Sequence, residues 1–365
     1  MKILLTGSSG FLGRNLRAYL SKFEEIEIFN FIREMDFEDL DVNLNFDYII
    51  HLGGINRATN RIEFEEGNVE FTRKLIEYAE SLNYPPVIIF SSSIQAGNKS
   101  DYGVTKIAAE KLISDYGIKN QKKVYILRLP NIYGKWAKPN YNSVIATFAK
   151  HVQEGSEAKL FDENIPISFL YIDDFCEGIS NLVRNSKDIF EFEHLVQNLT
   201  PFEILQSFRY FKKCRDLGVL PKIFNKADSN LFSTYLSQLT IEDWSSNQVS
   251  IDDSRGSFTE VLKTDQSSQV SILRISPGSV RGKHFHNSKI EKFFVISGRI
   301  KFTFRDLFSN TLFSIESTHE ESNLVDAVPG WWHSIENIGN LEAVVLIWAN
   351  EVFDVKSPDT YKWEW

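Results

Sequence analysis

The feature that most constrains this chain is the glycine-rich stretch at its amino terminus, MKILLTGSSGFLG over residues 1–13. A short apolar run ends at a glycine, and two more glycines follow before apolar residues at helical spacing. This order predicts a buried parallel strand, a tight turn and the start of a helix. Backbone amides and the helix dipole at such a turn can bind a pyrophosphate, so we predict a dinucleotide site rather than an ordinary turn. The candidate cofactor-binding residues here are Gly7, Ser9, Gly10, Phe11, Leu12 and Gly13.

Length and composition limit the classes of protein to which this chain can belong. A chain of 365 residues with 42% apolar and 13% aromatic residues is long enough for two or three packed domains. The formal net charge of -9 argues against a nucleic-acid partner. Two cysteines, Cys176 and Cys214, without metal-like spacing suit a reducing compartment. No apolar run approaches the roughly 18 residues of a membrane span, so we expect a cytoplasmic protein with no membrane partner.

The end of the second predicted strand, at residues 26–31, bears on the choice of cofactor. In nicotinamide-binding units this strand end meets the adenine ribose, where an acidic residue would bind the 2′-hydroxyl. No acidic residue ends the strand here, and Arg33 follows it. Because arginine suits a 2′-phosphate, we favour NADPH over NADH. The alternative is a solvated Arg33 beside Glu34 and Asp36.

Strands and helices alternate over the first part of the chain. Residues 47–52 predict a buried strand, residues 65–82 a helix, and residues 87–90 a further strand. This alternation predicts a parallel, doubly wound sheet. Because glycine lets backbone approach a ligand closely, Leu52 and Gly53 join the candidate cofactor-binding residues.

A serine-rich strand end and a Tyr-x-x-x-Lys pair carry the predicted chemistry. Serines occupy residues 91–93, and Tyr102 and Lys106 lie four residues apart, on one face of a helix. A lysine ammonium near a tyrosine lowers the tyrosine pKa, so that the phenol can exchange a proton with a carbonyl near neutral pH. A serine hydroxyl can hold the same oxygen. Taken alone, the pair also fits a surface helix.

Together these motifs resemble the extended short-chain dehydrogenase/reductase family over residues 1–243. The resemblance rests on the glycine turn, the serine-ended strand, the Tyr-x-x-x-Lys pair, and residues 127–134 and 169–174. It implies a Rossmann domain with a small substrate lobe, usually for nucleotide sugars, and catalytic roles for Tyr102 and Lys106. The serine stretch departs from the pattern of the family, so Ser92 and Ser93 both stay candidates for the catalytic serine.

The loop at residues 135–143 is the predicted substrate-contacting segment. It carries lysines, a tryptophan and amides, at the edge of a parallel sheet where ligands bind. Its lysines can meet a pyrophosphate or remain solvated. The candidate substrate-binding residues are Asn131, Lys135, Trp136, Lys138 and Asn142. We predict residues 181–239 to be helical and to form the substrate lobe.

Beyond Trp244 the pattern changes to short alternating strands with frequent turns. The predicted strands cover residues 269–275, 291–296, 299–304, 311–315 and 343–348. No helical period competes, so we predict a separate all-β barrel or jelly roll. The polar residues 245–248 are the predicted linker, which gives a reductase domain at 1–243 and a second domain at 244–365.

Three histidines and a glutamate in this part have the spacing of a metal site. His284 and His286 would share one face of a strand, and Glu291 can come from the adjoining strand. With His333 from a distant strand, they form a donor set that suits zinc or another borderline divalent ion. The spacing resembles the two motifs of the cupin superfamily. A metal-free pocket of hydrogen-bonded histidines is the alternative.

A second resemblance, to the dTDP-sugar 3,5-epimerase cupins, leaves the role of His284 open. It rests on residues 252–258 (DDSRGSF) and 281–284 (RGKH). It implies that the histidine after Arg-Gly is a base and that no metal is needed. His286 stands where those epimerases usually carry glutamine, which favours the ligand role for His284.

The whole chain resembles the bifunctional capsular-polysaccharide enzymes of the CapF type, also at residues 134–143, 233–237 and 350–354. The resemblance implies a homodimer whose cupin epimerises C3 of a UDP-4-keto-6-deoxy-N-acetylhexosamine. The reductase domain then reduces C4 with NADPH to UDP-2-acetamido-2,6-dideoxy-L-talose, on the route to UDP-N-acetyl-L-fucosamine. Two alternatives stay open: a redox-neutral, NAD-dependent UDP-sugar epimerase or dehydratase, and a reductase whose cupin only binds sugar.

Overall fold

The structure, a computed structural model, describes residues 1–158, 162–184, 192–247, 250–253, 256–259, 268–351 and 356–363. The chain forms two compact units. The first consists of Met1–Ile132 and Ser168–Asn198, and the second of Tyr133–Ile167 and Leu199–Trp365. The second unit therefore contains helices of the predicted substrate lobe together with the all-β part. The division at residue 243 stays a prediction.

A five-stranded parallel sheet forms the centre of the first unit. Its strands are β1 (Lys2–Thr6), β2 (Glu27–Phe31), β3 (Tyr48–His51), β4 (Val87–Ser93) and β5 (Val124–Leu129). They lie in the order β2-β1-β3-β4-β5, and every neighbouring pair is parallel. The predicted doubly wound sheet is therefore confirmed.

The helices among the described residues belong to both units. They are α1 (Phe11–Leu20), α2 (Arg61–Phe64), α3 (Phe71–Ser81), α4 (Asp101–Asn120), α5 (Val144–Glu154), α6 (Ile172–Arg184), α7 (Pro201–Asp216) and α8 (Lys226–Ser237). A π-helical segment, Glu65–Glu70, joins α2 to α3. Within the described ranges, no helix combines the length and the apolar character needed to cross a bilayer.

Burial on both faces explains the apolar strands of the parallel sheet. In β1, Leu4 belongs to a buried cluster that includes Leu75 of α3 and Ile113 of α4. Its neighbours Ile3 and Leu5 point to the opposite face and are equally buried. Strands buried in this way read as continuous apolar runs, which is the pattern found at the amino terminus.

The predicted helical run over residues 181–239 is only partly correct. A small sheet of β6 (Asn131–Tyr133), β7 (Ile167–Tyr171) and β8 (Gln197–Leu199) interrupts it, because β8 lies between α6 and α7. A three-residue strand is too short to show a period in the sequence. The two later helices begin at clear caps: Thr200 and Glu203 form a capping box before α7, and Asn225 caps α8.

Two antiparallel sheets form most of the all-β part. The strands are β9 (Ser245–Asn247), β10 (Ser250–Asp253), β11 (Gly256–Thr259), β12 (Gln269–Ile275), β13 (Val280–His284), β14 (Glu291–Ser297), β15 (Arg299–Asp306), β16 (Leu312–Thr318), β17 (Asn323–Ala327), β18 (Trp331–Asn337) and β19 (Ala343–Ala349). The sheets have the orders β12-β19-β14-β17-β9 and β13-β18-β15-β16, and β10 and β11 form a hairpin. All five predicted strands are present, so the all-β prediction is confirmed.

The predicted linker is wrong where the structure describes it. Residues 245–247 form β9, which pairs with β17 so that Ser245 lies opposite Val325. Strand pairing uses backbone groups, so a polar edge strand resembles a linker in composition. Gln248 lies outside the described residues. So do residues 254–255 and 352–354, which carried part of the resemblances.

A buried ion cluster joins helix α7 to the strands within the second unit. The carboxylate of Asp326 is 1% exposed and pairs with both Arg215 of α7 and Lys292 of β14. Arg215 also donates to the backbone carbonyl of Asp243. Loss of one partner from such a cluster leaves an uncompensated buried charge, at a cost of about 3–5 kcal/mol. These contacts explain why lobe helices and strands form one compact unit.

Candidate functional site

The glycine turn lies against the loop after β3. Gly7 has a φ of +67°, and a Cβ there would lie 2.7 Å from the amide nitrogen of Gly53. A Cβ at Gly13 would lie 2.2 Å from the carbonyl oxygen of Gly7. Only glycine therefore fits at these two positions. Helix α1 begins at Phe11, directly after its N-cap residue Gly10, so its amino terminus opens at the turn.

The other candidate cofactor-binding residues lie around this turn or beyond β2. Ser9 is exposed, and Leu12 in the first turn of α1 and Leu52 beside Gly53 are half-buried. Arg33 is exposed, two residues after the end of β2. Its position fits the predicted contact with a 2′-phosphate, and it fits a solvated side chain equally well.

A buried hydrogen-bond chain that the sequence analysis missed holds this edge of the sheet. Thr6 Oγ1 accepts from the Gly53 amide (3.1 Å) and donates to Nδ1 of His51 (2.7 Å). His51 Nε2 donates to Thr72 Oγ1 (3.0 Å), because that hydroxyl gives its own hydrogen to the Asn68 carbonyl (2.6 Å). Burial lowers the pKa of His51 to about 3, so the imidazole stays neutral. The sequence feature that could have indicated these buried hydrogen bonds is a polar histidine, His51, at the end of an apolar strand.

Tyr102 and Lys106 lie in the first turns of α4, as the spacing predicts. The Lys106 ammonium donates to the Ser91 carbonyl (3.0 Å) and lies 5.9 Å from the centre of the Tyr102 ring. A Cβ on Gly54 would lie 3.7 Å from the same ammonium. The tyrosine-lysine pair therefore lies beside the loop that approaches the glycine turn.

The predicted lowering of the Tyr102 pKa is wrong. Burial raises the pKa of Tyr102, and the nearby Ser93 side chain offsets only part of this effect. Burial also lowers the pKa of Lys106 to about 8, although the charge of Glu110 acts to raise it. The physical reason is that the Lys106 ammonium is directed at a backbone carbonyl and the phenol itself lies in a poorly hydrated position.

The two candidate serines of β4 have different partners. Ser92 is buried and donates to the Glu110 carboxylate (2.5 Å), which also accepts two hydrogen bonds from Arg128 (2.9 and 2.6 Å). Ser93 Oγ instead accepts the backbone amide of Gln95 (3.1 Å), and the Ser93 side chain lies near enough to the Tyr102 hydroxyl to act on the pKa of that group. Neighbouring side chains on a strand point to opposite faces, so only one of the two serines can meet the tyrosine. The structure brings Ser93 to Tyr102 and holds Ser92 at Glu110.

Three of the predicted substrate-contacting residues are exposed. Lys138 and Asn142 lie on the surface, and the Lys138 ammonium is 5.7 Å from the centre of the Tyr141 ring. Asn131 is also exposed and donates to the carbonyl of Ser168 (3.3 Å). These side chains are accessible to a ligand, and the prediction that they bind substrate stays a prediction.

Lys135 and Trp136, the other two predicted substrate-contacting residues, pack against the turn before β18. Lys135 is 1% exposed, and a Cβ on Gly330 would lie 2.9 Å from its Cδ and 2.7 Å from the Trp136 ring. The Trp136 ring also contacts Phe308 edge-on, with 4.8 Å between ring centres. Both side chains therefore pack in the interior of the second unit. This position differs from the predicted open position because the loop folds back onto the turn before β18.

His284, His286, Glu291 and His333 come together in the second unit, as predicted. One ligand atom of each lies within 4.8 Å of those of the other three. Two predicted details are wrong. β13 ends at His284, so His286 lies beyond the strand rather than on it, and a β-bulge after Gly282 shifts the pairing with β18. Glu291 begins β14 of the other sheet, whereas His284 and His333 pair across β13 and β18.

The electrostatics of this cluster suit a divalent metal ion. Burial lowers the pKa of His284 to about 4 and also lowers the pKa of His333 well below its usual value. Both imidazoles are therefore neutral at pH 7, which is the form that binds metals. Burial acts to raise the pKa of Glu291, but the contact with His286 and the Lys289 ammonium 2.9 Å away lower it overall.

Two contacts around the cluster were not predicted. The backbone carbonyl of Asp359 lies 2.5 Å from His286 Nδ1 and can only accept, so Nδ1 carries a hydrogen. The other nitrogen, Nε2, lies 3.2 Å from Glu291 Oε2; with a hydrogen it donates to this carboxylate, and without one it is a metal donor beside it. The Lys289 ammonium lies 2.9 Å from Oε1 of Glu291, and the other carboxylate oxygen, Oε2, lies 3.7 Å from Nε2 of His333.

The two sites define the class of protein. A parallel dinucleotide-type sheet with a Ser-Tyr-Lys group, followed by an all-β part with a three-histidine, one-carboxylate cluster, is an extended short-chain dehydrogenase/reductase joined to a cupin. The chain belongs to the NAD dependent epimerase/dehydratase family, whose model matches residues 3–196. Residues 251–361 match the model of the polysaccharide biosynthesis C-terminal domain.

Full-length relatives have the same two-part organisation. UDP-2-acetamido-2,6-beta-L-arabino-hexul-4-ose reductase from Pseudomonas aeruginosa is 37% identical, over 99% of this chain and 98% of that protein. The crystal structure of the capsular polysaccharide assembling protein CapF from Staphylococcus aureus is 36% identical, with a TM-score of 0.65 over 100% of both chains. A UDP-glucuronic acid 4-epimerase from Bacillus cereus, solved with NAD, is 21% identical over 58% of this chain and 84% of that one. With a TM-score of 0.50 at this identity, the similarity to the Bacillus cereus protein indicates a shared fold and nothing about function. The resemblance to the CapF type is confirmed.

Proposed function

We propose that the first unit reduces the C4 ketone of a UDP-4-keto-6-deoxy-N-acetylhexosamine with NADPH. The observation that carries this proposal is the position of Ser93, Tyr102 and Lys106 beside the glycine turn. The name of the Pseudomonas aeruginosa relative, a reductase of a UDP-linked 4-hexulose, supports the substrate class. Arg33 beyond β2 supports NADPH over NADH.

Each residue of this group has a separate task in the reduction. NADPH supplies the hydride that adds to C4. The Tyr102 hydroxyl donates its proton to the ketone oxygen as negative charge develops there, and Ser93 holds the same oxygen by a hydrogen bond. Lys106, beside Gly54, holds the nicotinamide ribose. The products are an alcohol and NADP⁺.

Alanine substitutions at Ser93 and Ser92 separate the roles of the two serines. We expect Ser93→Ala to lower kcat about 100-fold, because one hydrogen bond to a developing oxyanion contributes ~10²–10³ in rate. Ser92→Ala leaves Glu110 bound to Arg128, so we expect a decrease of less than about tenfold. Steady-state NADPH oxidation measures both variants. A larger loss for Ser92→Ala than for Ser93→Ala would contradict the assignment.

We also propose that the all-β part inverts C3 of the same sugar before it is reduced. The C4 ketone acidifies the neighbouring C3–H, so the proton can leave and return on the opposite face. His284, His286, Glu291 and His333 would hold a divalent ion, which we propose to be zinc. When bound, such an ion polarises the ketone oxygen and stabilises the charge that forms after C3 loses its proton.

Inversion at C3 followed by reduction at C4 gives UDP-2-acetamido-2,6-dideoxy-L-talose. We place this product on the route to UDP-N-acetyl-L-fucosamine for capsule or O-antigen. Support comes from the full-length similarity to CapF, which is described as a capsular polysaccharide assembling protein. The match to the polysaccharide biosynthesis C-terminal domain agrees with this assignment.

One incubation tests both activities. The protein is mixed with the UDP-4-keto-6-deoxy-N-acetylhexosamine and NADPH in D₂O, and nicotinamide absorbance and the NMR spectrum of the sugar are followed. We expect stoichiometric loss of NADPH and deuterium at an inverted C3. Loss of NADPH without deuterium at C3 would exclude the epimerisation and leave a ketoreductase. A sugar inverted at C4 with no net use of NADPH would replace the reductase with a redox-neutral epimerase.

A further inference from the structure

A short C-terminal segment, residues 356–363, packs against the loop that carries the metal ligands. Phe285 and Tyr361 exchange backbone hydrogen bonds in both directions (2.9 and 3.0 Å) and form an isolated β-bridge. The Trp363 ring lies edge-on to Phe285 and to Phe308, with ring centres 6.1 and 5.7 Å apart. These contacts bring residue 359 beside the segment 286–291.

Asp359 joins this C-terminal segment to the loop before β14 through its carboxylate. Its carboxylate accepts three consecutive backbone amides, those of Asn287 (3.0 Å), Ser288 (2.7 Å) and Lys289 (2.6 Å). It also accepts the hydroxyl of Ser288 (3.1 Å). Hydrogen bonds to an ionised acceptor are the stronger kind. All three amides lie between the two ligands His286 and Glu291, so one carboxylate fixes the path of the chain from one ligand to the next.

The backbone of Asp359 acts on the first of these ligands. Its carbonyl oxygen accepts the Nδ1–H of His286, which fixes the ring plane and directs Nε2 toward Glu291, so that the neutral imidazole offers its Nε2 lone pair to an ion there. The carboxylate contacts and the Phe285–Tyr361 backbone pair together anchor this residue. The position of the carbonyl therefore depends in part on the carboxylate.

We propose that Asp359 is a positioning residue of the metal centre and that the C-terminal segment is part of that centre. This inference rests on the metal site proposed above. The consequence is a thermodynamic linkage between ion binding and docking of the C-terminal segment. An ion that requires this conformation of residues 286–291 favours the docked C-terminal segment, and the docked segment in turn raises the affinity of the site for the ion. No contact between Asp359 and the ion is required.

The test compares the affinity of Asp359→Asn and of the unmodified protein for Zn²⁺ and Co²⁺. Metal-free proteins compete with a chromogenic chelator, and the visible absorption of bound Co²⁺ reports the ligand geometry. The substitution keeps the size of the side chain but places an amide against backbone N–H groups. We expect metal affinity 10- to 100-fold weaker, which is roughly the effect of losing an outer-shell partner, and a changed Co²⁺ spectrum.

A matched control is Asp228→Asn. Asp228 belongs to the same unit, and its carboxylate accepts the backbone amide of Phe224 (3.0 Å) far along the chain from the metal ligands. We expect this variant to bind Zn²⁺ and Co²⁺ as the unmodified protein does. An Asp359→Asn variant with unchanged affinity and an unchanged Co²⁺ spectrum would overturn the role of Asp359 while leaving the metal site intact. If the unmodified protein bound neither ion, the proposed metal site would fail as well.

A second measurement needs no substitution and covers the case in which Asp359→Asn does not fold. Amide hydrogen exchange is recorded on the unmodified protein with and without Zn²⁺. We expect Zn²⁺ to slow exchange at residues 287–289 and at Tyr361 together, because the loop and the C-terminal segment are linked. Slower exchange in the loop with no change at Tyr361 would overturn the linkage.

Discussion

Replacement of Tyr102 by phenylalanine is expected to lower the rate of NADPH oxidation about 1,000-fold, within the range of losses for a general acid. The substitution removes the hydroxyl that donates the proton and keeps the half-buried ring at its place on α4. Deuterium incorporation at C3 should continue, because Tyr102 belongs to the first unit and the metal-ligand set to the second. Absorbance of the nicotinamide and NMR of the sugar measure the two effects in one reaction.

The matched control for this substitution is Tyr84→Phe. Tyr84 is 68% exposed, so the same loss of a hydroxyl should leave both rates unchanged. Unimpaired NADPH oxidation in Tyr102→Phe would refute the assignment of Tyr102 as the proton donor. Loss of C3 exchange together with reduction would instead show that the two activities share a residue.

The reductase site could be predicted largely because its geometry is local. The spacing of Gly7 and Gly13 reflects contacts within one turn, and four residues on a helix place Tyr102 and Lys106 on one face. The pKa of Tyr102 was predicted with the wrong sign, since spacing shows which side chains are near but not how deeply they are buried. Glu110 follows Lys106 by four residues on α4, and this spacing predicts that the two charged side chains lie on the same face of the helix. The sequence therefore contained a sign of the effect of Glu110 on Lys106.

The cluster of three histidines and Glu291 shows what a sequence pattern does not predict, namely how the strands that carry its residues pair. The four residues come together as predicted, and their binding of a metal stays a prediction. The predicted neighbouring strands were wrong, because Glu291 and His284 belong to different sheets. A bulge after Gly282 changes the pairing without any period in the sequence. The spacing of residues in the sequence identifies side chains that suit a metal ion. The pairing of the strands determines how these side chains are arranged around one another.

The contacts made by Asp359 had no signal in the sequence. Its partners lie 70–73 residues away along the chain, in the loop between β13 and β14. A single aspartate in a polar C-terminal stretch resembles many solvated ones. The same holds for Asp326, whose pairing with Arg215 spans 111 residues. Such long-range contacts come only from the packed structure.

Replacement of His333 by alanine is expected to release the metal ion and to stop deuterium exchange at C3. His333 is 2% exposed and lies in β18 opposite His284, so no solvent-accessible side chain can replace it. Loss of a ligand should weaken metal binding by more than about 100-fold, since loss of an outer-shell partner alone costs 10- to 100-fold. Elemental analysis of the purified variant gives the stoichiometry, and chelator competition gives the affinity.

The matched control for the metal prediction is His319→Ala. His319 is exposed in the turn after β16 and lies outside the four-residue cluster, so its loss should leave the metal content unchanged. Binding of NADPH, followed by nicotinamide fluorescence, should be equal in both variants, because the glycine turn belongs to the first unit. Stoichiometric metal in His333→Ala would remove His333 from the ligand set. Loss of metal with undiminished exchange at C3 would assign the ion a structural role, because the exchange would then proceed without it.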